Sequence, residues 1–279
     1  MSSRTTLLLQ TAGLLVACLA LGAPARKAIS WKPLQAGVEL ATIPSGRAEG
    51  PLYVVRIDPA RARLAVGLAS QTGGGSKTAA EWCRTSRFAV ATNLGMFSTD
   101  QLTHTGYLRS EKHLNNAKWN DYRAVLAVGP RQSSLAPAIW VDLDKPSPAR
   151  ELEQYEIVVQ NLRLIAGHRR NVWAENGKRW SEAALAIDSK GRLLFVFSRA
   201  PYSMREFNTL LMSLPLDVDR AMHLEGGPEA SLSIHVPGLD LDLCGSYETG
   251  FWHNDSNKQQ WAIPNVIGVV RADAAAQRP

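Results

Sequence analysis

The sequence predicts an α+β fold: a single domain with a strand-dominated, mixed or antiparallel sheet core and a few flanking helices. Three observations lead to this prediction. Short apolar stretches bounded by Gly, Pro or Asp recur along the chain, as strands do. Apolar residues take a clear helical spacing at residues 202–214. No internal repeat divides the 279 residues, and the one seam between halves is the proline-containing segment 145–148.

The N-terminal residues 1–22 have the features of a secretion signal. An apolar run at residues 5–21 follows a basic residue and ends in small residues. The run is short for a membrane span, which needs about 20 apolar residues. We therefore expect an exported chain, located in the periplasm, in the envelope or outside the cell. Residues 15–18 also resemble a lipobox, so lipid anchoring through Cys18 and ordinary signal cleavage are both open.

The charged residues and the cysteines limit the class of partner. The formal net charge is +6, but the basic residues are dispersed, without the Lys/Arg tracts and interleaved aromatics of a nucleic-acid interface. We therefore expect no nucleic-acid partner and a ligand that is anionic or a polymer of the envelope. Cys83 and Cys244 are the cysteines of the folded part, and their spacing leaves a disulfide between them open. No cysteine or histidine spacing typical of structural zinc occurs.

The elements follow from local pattern. A lead-in at residues 23–36 precedes the folded domain, residues 37–271, and a disordered tail, residues 272–279. A short helix is expected at 78–84, capped by Thr78 or Ser76, and the main helix begins after a Ser203 cap. Apolar alternation or continuous apolar runs predict strands. These strands are residues 38–43, 52–57, 64–68, 88–92, 125–128, 139–143, 157–159, 183–187, 193–197, 221–224, 232–236 and 266–270.

Two connections have distinctive composition. Residues 188–191 contain Asp, Ser, Lys and Gly between two strands, which predicts a hairpin turn with Gly191 at positive φ. Residues 95–122 are rich in Asn, Thr, Gly, Lys and His and have no clear period. We interpret them as a long irregular excursion over one end of the sheet, where functional residues are common.

Two segments, residues 91–97 and 221–231, end an apolar strand with small and polar residues. In the first, Gly95 would allow a ligand to approach the backbone, and Asn93 offers a donor and acceptors. In the second, Glu225 stands where the strand stops and is followed by paired glycines, which leave its carboxylate room to face a cleft. An ordinary turn is the alternative for each segment taken alone.

Taken together and in this order, the two segments resemble the signatures of the phosphodiester glycosidase family. Segments 158–165, 183–198 and 263–269 resemble further parts of the family pattern, so that the resemblance spans residues 37–271. It implies a hydrolase that cleaves a sugar-1-phosphodiester in an envelope or extracellular glycan and releases free sugar and a phosphomonoester. It implies a carbohydrate substrate. The sequence itself requires no cofactor, and it does not indicate an oligomeric state.

The resemblance also assigns roles. Glu225 is the first candidate for the catalytic carboxylate and Glu229 the second. His223 lies two residues before Glu225 on the same strand face, and it is an acid–base partner or a satisfied half-buried histidine. The residues implied to bind substrate are Asn93, Gly95, Asn161, Arg163, Gly226, Gly227 and Ser231.

The sequence departs from the family pattern in ways that keep alternatives open. Glu225 replaces an Asp, Leu94 replaces a Gly, and Glu182 stands where many members have an Arg that would bind phosphate in a bidentate manner. A non-catalytic envelope glycan-binding protein of the same fold is therefore the main alternative. Whether a divalent cation binds to Glu225, Glu229 or Asp100 is left open.

A thiol hydrolase is a further alternative. It would use Cys83 as the nucleophile together with His104 or His113. Nothing in the spacing brings these residues together, and a thiol in an alanine-rich helix is typical of a core position.

Overall fold

The structure is a computed structural model that describes residues 28–144 and 149–275, without the side chains of residues 274 and 275. The predicted signal with Cys18 and the predicted seam at 145–148 lie outside the described residues. Within them the α+β prediction is confirmed, and the sheets are antiparallel throughout. None of the described helices is long and apolar enough to cross a membrane.

The elements that the structure describes run as follows in chain order. They are β1 (Lys32–Gln35), β2 (Val38–Ile43), β3 (Leu52–Ile57), β4 (Leu64–Leu68), α1 (Ala69–Thr72), α2 (Ala79–Thr85), β5 (Phe88–Asn93), β6 (Leu108–Ser110), β7 (His113–Asn116), β8 (Ala124–Pro130), β9 (Ala138–Asp142), α3 (Ala149–Leu152), β10 (Tyr155–Asn161), β11 (Arg163–Ala166), β12 (Arg170–Asn171), β13 (Trp180–Asp188), β14 (Leu193–Tyr202), α4 (Met204–Ser213), β15 (Val218–Gly226), a 3₁₀ turn (Gly227–Glu229), β16 (Ser231–Val236), β17 (Leu239–Cys244), β18 (Asn265–Val270) and α5 (Ala272–Ala275).

Three sheets enclose one main hydrophobic core. The large sheet has the order β1-β2-β3-β14-β13-β15-β11-β12, and the two smaller sheets have the orders β7-β6-β10-β8-β9 and β17-β16-β5-β18-β4. Side chains from all three sheets, among them Leu185, Leu126 and Ile267, form one buried cluster. Period-two alternation directs one face of most strands into this core.

Helices cover the outer faces of two sheets. α4 packs Phe207 and Leu211 on the outer face of the large sheet, and α2 packs Trp82 and Cys83 on the outer face of the β5 sheet. The predicted caps are confirmed: Ser203 and Thr78 each form a capping box with the third residue of their helix. These reciprocal hydrogen bonds satisfy backbone donors that the first turn leaves open.

Several predictions need correction or completion. The excursion at 95–122 contains two short strands, β6 and β7, because β10 pairs with β6 and gives a polar segment a place in a sheet. Residues 272–275, which we expected to be disordered, form the short helix α5, and residues 276–279 lie outside the described part. Cys83 and Cys244 are free in this structure, so the disulfide is not formed.

Two strand ends bring the functional residues together. β13 and β15 are neighbours in the large sheet, with Glu182 opposite Gly226 and Ala183 opposite Glu225. After Gly226, the 3₁₀ turn leads the chain from the large sheet into β16 of a smaller sheet. β16 pairs with β5, so the end of β5 reaches the same turn.

Candidate active site

A histidine–carboxylate pair lies at the end of β15. His223 Nδ1 is 2.6 Å from Glu182 Oε1, and both side chains are buried. Among the described residues Nε2 has no hydrogen-bond partner. Glu182 therefore fixes the orientation of the imidazole and leaves Nε2 as the ring nitrogen that can meet a ligand.

Trp180 holds the other oxygen of Glu182. Its indole Nε1 donates to Glu182 Oε2 over 2.7 Å, and its ring packs edge-on against His223, with centroids 6.0 Å apart. Gly226 makes this arrangement possible, because a Cβ at that position would overlap the Trp180 ring. The first of the paired glycines thus serves close packing.

The environment favours the protonated form of His223. Burial alone lowers its pKa, but the neighbouring carboxylates, first that of Glu182, outweigh burial, so the pKa of His223 is raised. The raised pKa favours the imidazolium form of His223, the form that donates a proton or a hydrogen bond to an anion.

Two more carboxyl groups, those of Glu225 and Glu248, lie near His223, and a third, that of Glu229, lies near both of them. Burial, reinforced by the charge of Glu229, raises the pKa of Glu225 to about 8. Burial and the charge of Glu248 raise the pKa of Glu229. Burial also raises the pKa of Glu248, opposed by the charge of His223. Carboxyl groups that stay protonated near neutral pH, beside others that ionise more readily, are typical of acid–base sites.

Asn93 and Ser231 build the frame of the site. Asn93 Nδ2 donates to the carbonyl oxygen of Glu229 over 3.0 Å, and the backbone N–H of Ser231 donates to Asn93 Oδ1 over 2.8 Å. Both side chains are buried. Their hydrogen bonds join the end of β5 to the turn that carries Glu229, which positions that carboxyl group.

Asn161 and Gly95 meet in the interior. Asn161 Nδ2 donates to the carbonyl oxygen of Leu94 over 2.9 Å. A Cβ at Gly95 would overlap Asn161 Oδ1 and the imidazole of His104, so glycine is required there for close packing. These contacts tie β10 to the end of β5, next to the frame formed by Asn93.

Arg163 and Gly227 are placed differently. Arg163 Nη1 is 2.6 Å from Asp144 Oδ2 and 3.7 Å from Asp142 Oδ1, so ion pairs already engage its guanidinium. Gly227 has φ of 61° and contacts Glu248, whose side chain would overlap a Cβ there. Gly227 therefore fixes the turn and admits Glu248 to the cluster.

The structure adds two site residues that the sequence interpretation did not include, Glu248 and Trp180. Glu248 lies in the loop after β17, and its backbone pairs with Trp180 and with Trp252. No motif surrounds it in the sequence. For Trp180 a signal existed: it lies two residues before Glu182, on the same face of the strand.

The structure also bears on the thiol and metal alternatives. Burial raises the pKa of Cys83 to about 12, so its thiol stays protonated and is a poor nucleophile. His104 Nε2 bonds to the Gln160 carbonyl oxygen, and His113 Nε2 bonds to Ser70 Oγ.

Within residues 28–144 and 149–275 no three His, Cys, Asp or Glu side chains are arranged to hold a metal ion.

Comparisons with known proteins agree with the resemblance at the level of fold and family. The family model described as phosphodiester glycosidase matches residues 86–270. The zebrafish N-acetylglucosamine-1-phosphodiester α-N-acetylglucosaminidase catalytic domain, auto-inhibited by its pro-peptide, is similar with a TM-score of 0.57 and 14% identity, over 86% of this chain and 84% of that one. A hypothetical protein from Synechocystis has a TM-score of 0.55 and 15% identity, over 87% and 68%. No curated protein sequence matches this chain.

Proposed function

Because this chain belongs to the phosphodiester glycosidase family, we propose that it is an exported hydrolase that cleaves a sugar-1-phosphodiester in an envelope or extracellular glycan. One observation carries the proposal: His223, oriented by Glu182, lies within electrostatic reach of Glu225 and Glu248, and Glu229 in turn lies close to those two carboxyl groups. This combination supplies both a cation for a phosphate group and carboxyl groups for chemistry at an anomeric carbon.

The roles follow from the charges. The His223 imidazolium donates from Nε2 to an oxygen of the departing phosphate, which takes the electron pair of the broken C1–O bond. Glu225, protonated at neutral pH, donates a hydrogen bond to the sugar or to the leaving oxygen. Glu229 and Glu248 are less deeply buried, and one of them, when ionised, stabilises positive charge at C1 and accepts a proton from the attacking water.

The proposal is tested with glycosyl phosphodiesters that differ in their sugar, using purified protein and measuring released reducing sugar. His223→Asn is expected to lower kcat by about 10²–10⁴-fold, the usual contribution of an acid–base group. His235→Asn is the matched control, because His235 Nε2 forms a second histidine–carboxylate pair, 2.8 Å from Asp242 Oδ1, on a different sheet.

Two outcomes would contradict the proposal. Equal activity of the His223 variant and the wild type would remove this site from the reaction. Binding of the glycans without turnover by the wild type would instead support the non-catalytic glycan-binding protein.

Export is proposed on the pattern of residues 1–22. Full-length protein produced in a Gram-negative host is expected in the envelope or periplasmic fraction, shortened at its N-terminus. Metabolic labelling with a fatty acid separates the two routes: label that is lost in Cys18→Ser supports lipid anchoring, whereas an unlabelled, soluble product supports ordinary cleavage. A full-length product that stays in the cytoplasm would contradict export.

A further inference from the structure

The loop between β17 and β18 carries an aromatic cluster in the same turn as Glu248. The cluster consists of Phe251, Trp252 and Trp261. The rings of Phe251 and Trp252 both pack perpendicular to Trp261, with centroid distances of 6.0 and 5.7 Å. Glu248 begins the same turn: its backbone N–H donates to the Trp252 carbonyl oxygen and its carbonyl oxygen accepts from the Trp252 N–H. The aromatic cluster is thus joined directly to a residue of the site.

The loop is held in place although it lacks regular structure. The Arg199 guanidinium donates to the carbonyl oxygens of Asp255 and Asn257 and forms an ion pair of 2.6 Å with the Asp255 carboxylate. At the start of the loop, Thr249 exchanges hydrogen bonds with Arg179. The rings are therefore presented by a fixed backbone, which lowers the entropic cost of binding a ligand.

One ring of the aromatic cluster, that of Phe251, keeps much of its surface open. Phe251 is 56% exposed, the largest value among the large apolar side chains that the structure describes as exposed. Each perpendicular contact covers the face of only one ring, so other faces remain for a ligand. An aromatic face carries a negative quadrupole that attracts the positively polarised C–H bonds of a sugar ring.

The charges near the aromatic cluster favour a neutral ligand. Glu248 and Asp255 lie on the same loop, and the guanidinium of Arg199 is engaged by Asp255. An anion here would be repelled by these acidic side chains, and the one lysine of the loop, Lys258, donates from its ammonium group to the Asp255 carbonyl oxygen over 3.2 Å. A neutral pyranose is not repelled by acidic side chains and needs no cationic partner. Its hydroxyl groups can form hydrogen bonds with the polar side chains of the loop.

We propose that the aromatic cluster is a binding subsite for a neutral sugar ring beside the carboxyl groups of the site. The inference rests on the proposed function in one respect: it makes the sugar part of the same substrate. The substrate class is then an oligosaccharide that carries the phosphodiester, rather than a single sugar linked to phosphate.

The direct test is calorimetric binding of neutral oligosaccharides of two to six hexose or N-acetylhexosamine units to the full protein. Phe251→Ala is expected to raise the Kd about tenfold, whereas Phe251→Tyr, which keeps the ring, restores binding. Trp119→Ala is the matched control: Trp119 is 43% exposed and stacks on Tyr107 at 4.3 Å, outside this loop, and its loss should leave the Kd within about twofold.

The outcomes separate this inference from the proposed function. In the His223→Asn protein, oligosaccharide binding is expected to persist while turnover is lost. If the enzyme proves inactive on every phosphodiester, binding that depends on Phe251 still upholds the subsite. No binding by the wild type, or equal binding by Phe251→Ala, overturns it. Nucleoside monophosphates form a second arm: binding of these alone, lost in Phe251→Ala, would also overturn it in favour of a nucleobase subsite.

Discussion

At the scale of single residues, Glu182 is the positioning residue of the site. Its charge is the main influence that opposes burial and keeps the pKa of His223 raised. Glu182→Gln should therefore lower the pKa of His223 and reduce kcat by about 10–1,000-fold, with little change in KM. The measurement is the pH dependence of kcat together with the imidazole NMR titration of His223.

Asp242→Asn, which removes the carboxylate from the second pair at His235, is the control for Glu182→Gln. It should leave the titration of His223 and the activity unchanged. If His223 titrates identically in wild type and Glu182→Gln, the carboxylate has only a structural role.

Whether a site residue could be predicted from the sequence depends on how far it lies along the chain from the other site residues. Glu225, Glu229 and His223 share one segment, and a strand end with two glycines indicates them directly. Glu182 lies about forty residues away in the sequence. Only the pairing of β13 with β15 brings it into contact with His223 and so identifies it as a site residue. As a departure from a phosphate-binding Arg it argues against catalysis, whereas as the partner of His223 it supports the proposed chemistry.

At the scale of elements, the 3₁₀ turn between β15 and β16 sets the position of Glu248. Gly227→Ala meets two obstacles there: φ of 61° disfavours a side chain, and the new Cβ overlaps Glu248. The backbone cost is about 1–2 kcal/mol, and displacement of Glu248 should lower kcat as well. Chemical denaturation and the activity assay measure the two effects.

Gly177→Ala separates these effects for the turn. Gly177 has φ of 73° and open space around it. The Gly177→Ala protein should lose about as much free energy of unfolding as the backbone strain costs in Gly227→Ala, and it should keep full activity. A Gly227→Ala protein with wild-type kcat would show that Glu248 need not occupy its observed position.

Some strands could be predicted from the pattern of apolar and turn residues in the sequence, whereas others could not. β2 and β3 were predictable to the residue, because apolar alternation and turn residues mark both ends of each strand. β11 and β12 are short, and the hydrogen bonds of neighbouring strands define them rather than composition. β17 alternates Leu and Asp and is absent from the prediction although its pattern is typical of a strand.

At the scale of the whole molecule, the site makes stability depend on pH. Burial is the first cause that raises the pKa of Glu225 from 4.5 to about 8, and the pKa values of His223, Glu229 and Glu248 are also raised. Between the unfolded and folded values the native chain therefore holds protons that the unfolded chain has released. The free energy of unfolding must fall as pH rises through this range. Each full proton contributes about 1.4 kcal/mol per pH unit.

Urea denaturation from pH 5 to pH 9 tests this coupling, with Glu225→Gln as the variant. Its amide does not titrate and can still accept the hydrogen bond that the Gly226 N–H donates to Glu225 Oε1. Relative to wild type, the variant should gain stability steadily as pH rises towards 8. Exposed Glu153→Gln should instead run parallel to wild type. Asp100, whose pKa is lowered by hydrogen bonds from Thr103, changes stability only in acid and does not disturb the comparison. A Glu225→Gln curve parallel to that of wild type would mean that Glu225 is ionised in the native site, and the carboxyl group would then be a base rather than a proton donor.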